Sequence, residues 1–249
     1  MKDIQNQPDT RRISIKKVGV KNITYPITVR DKERTTQKTV GTVNMYVNLP
    51  HHFKGTHMSR FVEILSRFHG EINLRSFHRI LGEMKGRLQA EEAHMEIEFP
   101  YFLKRRRSKG GFVLREYLCA MHGCLGADDD LILGVQIPIW PPRLPPRGDA
   151  MPQSQGHWGV VHLNVRFRHF MWIEDLIDLV ESVTSGATLS TGERPVDSGN
   201  ELSVENLTQR IGHALQQTEK VRWFAVTVRN LSEGGNPFAS LEWPELPSA

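Results

Sequence analysis

Residues 43–63 read VNMYVNLPHHFKGTHMSRFVE, and the change of period inside this stretch decides the fold. At its start, apolar and polar side chains alternate, which predicts a strand with one buried face. A polar connector follows at residues 49–57. After it, Met58, Phe61 and Leu65 recur at helical spacing. The stretch therefore predicts a strand that is followed along the chain by an amphipathic helix.

The same two periods continue on both sides of this stretch. A second helix is predicted after a break at Gly70, and the remaining elements are predicted as strands at 94–102, 112–121, 131–139, 158–170 and 221–229 and helices at 171–183 and 203–217. This order repeats a β-β-α-α-β-β plan and predicts an α+β fold, with antiparallel sheets that carry paired helices on one face. Such sheets leave their other face and their edges open, which predicts self-association.

A proline-rich segment divides the predicted domains. Residues 1–20 are polar without periodicity and are expected to form an arm, followed by a first module at 21–139. Residues 140–157 begin with WPPRLPPRG, where each proline removes a backbone donor, so a loop is expected. A second module is expected at 158–249.

The charge balance is mildly basic, with a formal net charge of +4. Much of it lies in residues 104–109, a basic run predicted at a hairpin tip. No aromatic residues interleave with these charges, so a nucleic-acid partner is not expected. The chain lacks an apolar run of about 18 residues and an apolar leader, so neither a membrane partner nor export is expected. We expect a cytoplasmic protein.

The two cysteines, Cys119 and Cys124, are too few for a disulfide framework or a four-cysteine zinc site. Both fall in one predicted strand. Five residues apart they point to opposite faces, so they are not expected to pair with each other.

Four stretches, at residues 5–9, 43–63, 90–101 and 172–181, together resemble the GTP cyclohydrolase type IB family. The resemblance spans nearly the whole chain. It implies a bimodular tunnelling fold (T-fold), assembled as a homotetramer with active sites between subunits. Family members open the imidazole ring of GTP, release formate and form dihydroneopterin triphosphate.

The family's metal ligands are only partly present. The resemblance implies a cysteine, a histidine, an acid and a C-terminal histidine as ligands of zinc, manganese or iron. Here the cysteine stretch is replaced by the proline-rich segment and the terminal motif by NLSEGGNPF at residues 230–238, while His157 and Asp197 remain at the other two positions. A catalytic metal site needs about three protein ligands. No metal cofactor is therefore expected.

Glu205 matches the family's purine anchor. A carboxylate accepts two hydrogen bonds from the N–H groups of a guanine or pterin edge without a metal. The alternative is a solvated acid that is stabilised by the dipole at a helix start. The remaining candidate substrate-binding residues are His94, His57 and Arg143, with Arg147 as a further positive charge in the same loop as Arg143. His51, His52, His57 and His94 are also candidates to rebuild a metal site, or else groups that hydrogen-bond in a pocket or an interface.

Three functions remain open. The leading expectation is an enzyme that binds a purine-like or pterin-like heterocycle in a specialised pathway and performs altered, metal-independent chemistry, with His157 or Glu205 as acid or base. The second is a retained GTP cyclohydrolase with a rebuilt metal site. The third is a binding or assembly protein without catalysis. In each case the expected partners are a small heterocyclic ligand and further copies of the chain.

Overall fold

The computed structural model describes residues 15–33, 35–49, 58–68, 71–72, 74–106, 110–127, 129–139, 159–186, 203–231 and 235–244. The chain divides into two compact units, Met1–Leu133 and Gly134–Ala249. One strand, Asp129–Ile139, crosses the boundary between them.

The first unit is a sheet with two helices. Its elements are β1 (Ile15–Arg30), β2 (Thr36–Leu49), α1 (Ser59–Arg67), β3 (Glu71–Ile72), α2 (Leu74–Arg87), β4 (Ala93–Arg106) and β5 (Phe112–Leu125), followed by the boundary strand β6 (Asp129–Ile139). The strand order is β3-β1-β2-β4-β5, with the two-residue β3 parallel to β1 and the other pairs antiparallel.

One face of this sheet packs against the helices. The predicted alternation of β2 is confirmed, because Val43, Met45 and Val47 are fully buried while Asn44 and Tyr46 are only partly so. In β5, a methyl group added at Gly123 would overlap the ring of Phe77 from α2. Helix α2 therefore lies directly over β4 and β5, and α1 packs against α2. The alternate side chains of the sheet form the face that we call the open face.

The second unit repeats the plan with fewer strands. Its elements are β7 (Gly159–Phe167), α3 (Ile173–Gly186), α4 (Val204–Gln216), β8 (Val221–Asn230) and β9 (Phe238–Trp243). The strand order is β7-β8-β9, all antiparallel. Helix α4 covers one face of this sheet, where the Thr208 hydroxyl donates to the Ala239 carbonyl at 3.3 Å.

The structure adds three strands that the sequence pattern did not predict, namely β1, the two-residue β3 and β9. β1 begins at Ile15, inside the segment expected to be an arm, and register shifts between Ile15 and Val18 and between Val20 and Ile23 break its alternation. β9 is six residues long and pairs with one neighbour. β7 ends at Phe167, before the predicted end, because the next two N–H groups both turn to the Lys220 carbonyl.

Two further findings concern the cysteines and the length of the helices. Cys119 and Cys124 are both free cysteines of β5, the first buried and the second partly exposed. No helix in this part of the chain combines the length and the apolar composition that crossing a membrane requires.

Candidate active site

Two of the predicted site residues, Glu205 and His94, belong to the described part of the chain. His57, Arg143, His157 and Asp197 lie outside it, as do His51, His52 and Arg147. His94 belongs to the first unit and Glu205 to the second. The contacts of each residue are therefore those within its own unit.

Glu205 is an exposed carboxylate in the first turn of α4. Ser203 caps this helix, since its side chain accepts a hydrogen bond from the Asn206 N–H at 3.1 Å. Because Ser203 meets the need for a cap, Glu205 is not used for it, and it has no hydrogen-bond or ion-pair partner among the described residues. Beside it, the Asn206 Oδ1 atom is buried and has no hydrogen-bond partner in the described structure. Glu205 is therefore an open acceptor for N–H donors, whereas Asn206 Oδ1 is an acceptor enclosed within the fold.

His94 lies in a cross-strand row on the open face of the first unit. Tyr46 of β2, His94 of β4 and Cys124 of β5 are directly opposite one another in the sheet register. The Tyr46 and His94 rings are stacked, with centroids 4.8 Å apart and planes inclined by 14°. His94 Nε2 lies 3.9 Å from the Cys124 sulfur and 3.5 Å from a Glu92 carboxylate oxygen. The imidazole is therefore in contact with the Tyr46 ring on one face, and its Nε2 atom is near Cys124 and Glu92.

Glu96 lies two residues beyond His94 in β4 and is hydrogen-bonded to Tyr46 of this row and to Asn44. Its carboxylate accepts hydrogen bonds from the Tyr46 hydroxyl at 3.0 Å and from the Asn44 side-chain amide at 2.9 Å. Partial burial pushes the pKa of Glu96 up, but the bonds from Asn44 and Tyr46, together with nearby His122 and Lys17, hold it below its usual value. Burial and the bond to Glu96 raise the pKa of Tyr46 to about 12. At neutral pH the pair is therefore a charged carboxylate and a neutral phenol.

The thiol of Cys124 is partly buried and lies near three carboxylates. Burial raises its pKa, and the carboxylates of Glu92, Asp130 and Asp129 raise it further, so without a bound metal the thiol is protonated. In the described ranges, no group of three or more His, Cys, Asp or Glu side chains is placed to hold a metal ion. The described part of His94's surroundings is thus a hydrogen-bonding site.

The sheet of the second unit also has a group of polar and aromatic side chains on its less buried face. The guanidinium of Arg166 lies 4.1 Å from the centroid of the Trp223 ring, whose N–H donates to Glu242 at 2.8 Å. Farther along β7, burial and the nearby charge of Arg229 lower the pKa of His162. At neutral pH His162 is therefore an uncharged imidazole, able to accept a hydrogen bond.

Sequence reasoning missed Tyr46, which stacks on His94, and also Glu96 and Lys17, which contact Tyr46. The alternation of β2 did assign Tyr46 to the less buried face, which was the available signal. Its pairing with His94 depends on the register between two strands that are far apart in sequence, and a pattern within one strand does not contain that register.

Solved structures match this fold at very low sequence identity. Uricase from Arthrobacter globiformis superposes with a TM-score of 0.57 at 9% identity, covering 94% of each chain. Urate oxidase from Bacillus sp. TB-90 gives a TM-score of 0.56 at 9% identity and covers 92% of this chain and 99% of its own. The likeness concerns the fold alone and confirms the predicted α+β architecture of tandem T-fold modules.

Curated relatives match far more closely in sequence. A protein of Syntrophus aciditrophicus named GTP cyclohydrolase FolE2 is 40% identical over 97% of this chain and 99% of its own length. Proteins with the same name from Geobacter sulfurreducens and Pelobacter propionicus are 43% and 44% identical over 92% of this chain, covering 92% and 93% of their own.

These relatives correct the leading functional expectation. Altered, metal-independent chemistry on a scaffold with a lost site was the wrong conclusion, and the relatives favour the second expectation, a functional GTP cyclohydrolase. The error was to equate the loss of individual ligand positions with loss of the activity. Function belongs to an assembled site, whose groups a chain is able to supply from other positions.

The family model for type I GTP cyclohydrolase FolE2 matches residues 1–232, which include both units and the candidate residues His94 and Glu205. Together with the relatives above, this match shows that the chain belongs to the type I GTP cyclohydrolase FolE2 family.

Proposed function

We propose that this protein is a GTP cyclohydrolase of type IB, which hydrolyses GTP to dihydroneopterin triphosphate and formate. The observation that carries the proposal is the identity of 40% over nearly the whole length of a relative named GTP cyclohydrolase FolE2. The match runs through both units, so it is not confined to a shared structural core.

Glu205 supports the proposal from the structure. Its carboxylate is exposed and has no partner in the described part of its unit, while Ser203 supplies the cap of α4. We propose that it accepts the N–H groups of the guanine edge, as an exposed carboxylate without a partner is able to do.

The proposed reaction uses a divalent metal. A bound divalent metal would supply an activated water near neutral pH. The described residues do not fit this role, because no three metal-binding side chains are grouped there. We propose that His157 and Asp197, with further ligands, form a rebuilt site.

Assembly and location complete the proposal. We propose a homotetramer with sites between subunits, located in the cytoplasm, with GTP as the small-molecule partner. Its support is the family's implied assembly and the open sheet faces, whose half-buried polar rows are suited to be covered by another copy.

The direct test is to incubate the purified chain with GTP and to measure formate and the fluorescence of the oxidised pterin, with and without a chelator. Metal content is measured on the same sample. Formate formation that a chelator abolishes would support the proposal. GTP-dependent thermal stabilisation without formate would instead indicate a binding protein.

Glu205→Gln tests the purine anchor. The amide replaces one acceptor with a donor that opposes the guanine N–H groups, so kcat/KM should fall by about tenfold or more. Glu219→Gln is the matched control, since Glu219 is an exposed acid in the turn after α4. An equal effect in both variants would contradict the assigned role of Glu205.

A further inference from the structure

A chain of contacts on the open face of the first unit ends at His94. It starts at the irregular part of β1, where Asn22 has a φ of 58° and donates its backbone N–H to the side-chain oxygen of Asn44 at 2.8 Å. Asparagine tolerates this left-handed conformation better than most residues. The Asn44 amide is thereby oriented with its NH2 group toward Glu96, which it meets at 2.9 Å.

Tyr46 connects these contacts to the imidazole of His94. Its hydroxyl is fixed by Glu96, and the Lys17 ammonium lies 3.5 Å from its ring centroid. The stacked His94 ring lies on the β4 side of Tyr46, while Lys17 reaches it from β1. Rotation of the imidazole would lose the nearly parallel stack, so Tyr46 restricts the ring to one plane.

The two nitrogens of His94 have different surroundings. Nε2 faces the Glu92 carboxylate at 3.5 Å and the protonated Cys124 thiol at 3.9 Å. A carboxylate favours a proton on the nitrogen that faces it, and the other nitrogen of a neutral imidazole then has a free lone pair. Nδ1 has no partner among the described residues, so it is the nitrogen available to a ligand.

We infer that His94 uses Nδ1 to accept a hydrogen bond from an N–H or O–H group of the heterocyclic substrate, and that Tyr46 and Glu96 are positioning residues for this imidazole. The ligand-binding part rests on the proposed function. The positioning part rests on the contacts of the first unit alone. The inference assigns roles to Tyr46 and Glu96 that neither motif nor spacing in the sequence suggests.

The first arm of the test observes the His94 ring directly. Long-range proton–nitrogen NMR spectra of the full chain, assigned with His94→Gln, report the tautomer and its exchange. The wild type should show a proton on Nε2 and a bare Nδ1. Tyr46→Leu should give a mixture of tautomers, and Tyr46→Phe, which keeps the ring, should give a smaller change.

The second arm observes the ligand. Adding GTP should shift the Nδ1 resonance of His94 in the wild type, and Tyr46→Leu should weaken GTP binding by about threefold to tenfold, the range expected for a lost aromatic stack. In turnover assays the loss should appear in KM more than in kcat. Tyr25→Leu, the same change at a half-buried tyrosine of β1, is the matched control and should behave as the wild type.

The outcomes separate the inference from the proposed function. If GTP shifts His94 but no formate forms, the cyclohydrolase proposal fails and the inference stands. An active enzyme whose His94 resonances ignore GTP would overturn the ligand role. An unchanged tautomer in Tyr46→Leu would overturn the positioning role. Should that variant not fold, Glu96→Ala gives the same decision, because it removes the acceptor that fixes the Tyr46 hydroxyl and so frees the ring that stacks on His94.

Discussion

The substitution Gly123→Ala is a sensitive probe of the helix-over-sheet packing of the first unit. A Cβ atom at this position would overlap Cε1 of Phe77 and lie 3.1 Å from a methyl carbon of Leu81. Both neighbours belong to α2 and are buried, at 1% and 3% exposure, so neither is able to swing into solvent. The helix or the strand must shift instead.

The expected cost follows from overpacking. Forcing one extra carbon into a filled core costs about 1–3 kcal/mol, of which about 0.4–1 kcal/mol is offset because alanine restricts the unfolded chain. The net loss of about 1–2 kcal/mol corresponds to a fall in melting temperature of about 2–8 °C for a chain of this size.

Gly86→Ala, in the helix α2 that packs on Gly123, is the matched control. No atom lies within 4 Å of its added Cβ, and the residue is exposed. Alanine in a helix interior is favoured over glycine by about 0.5–1 kcal/mol, so this variant should gain stability. Thermal and urea denaturation followed by circular dichroism measure both variants. If Gly123→Ala proves as stable as Gly86→Ala, the close packing of α2 on β5 is refuted.

Three further predictions concern single groups. Ser203→Ala removes the acceptor for the Asn206 N–H, and urea denaturation should show a loss of about 1 kcal/mol, whereas no loss would mean that the cap is not used. Because folding raises the pKa of Tyr46 from 10.0 to about 12, its contribution is present below pH 10 and lost above it, so the stability advantage of the wild type over Tyr46→Phe should shrink between pH 10 and 12. Arg229→Gln should raise the pKa of His162 toward its usual value in an NMR titration, and an unchanged pKa would leave burial as its sole cause.

The alternation and helical spacing in the sequence were enough to predict most elements. β2 was predicted because every second residue from Val43 to Leu49 is apolar, which is typical of a half-buried strand, and β4 and β5 were predicted as strand-like runs. β1 was missed because two bulges shift its pattern between faces, and β9 because a six-residue edge strand holds too few alternations to stand out.

For the site, the sequence and the structure contributed different parts. Glu205 was identified from the resemblance of its motif, and the structure adds that its carboxylate is not used to cap α4. The stack of Tyr46 on His94 was not predictable, since its partners come from strands whose register is set across 48 positions of the chain.

The sequence by itself determined the fold class, the two modules and the family, because these follow from local periodicity and from motifs that are contiguous in the chain. Only the tertiary structure decided which side chains meet. The contacts around His94 depend on cross-strand register and on a bulge in β1. A shift of one residue in that register would turn each of these groups to the opposite face, which is why no single segment encodes the site.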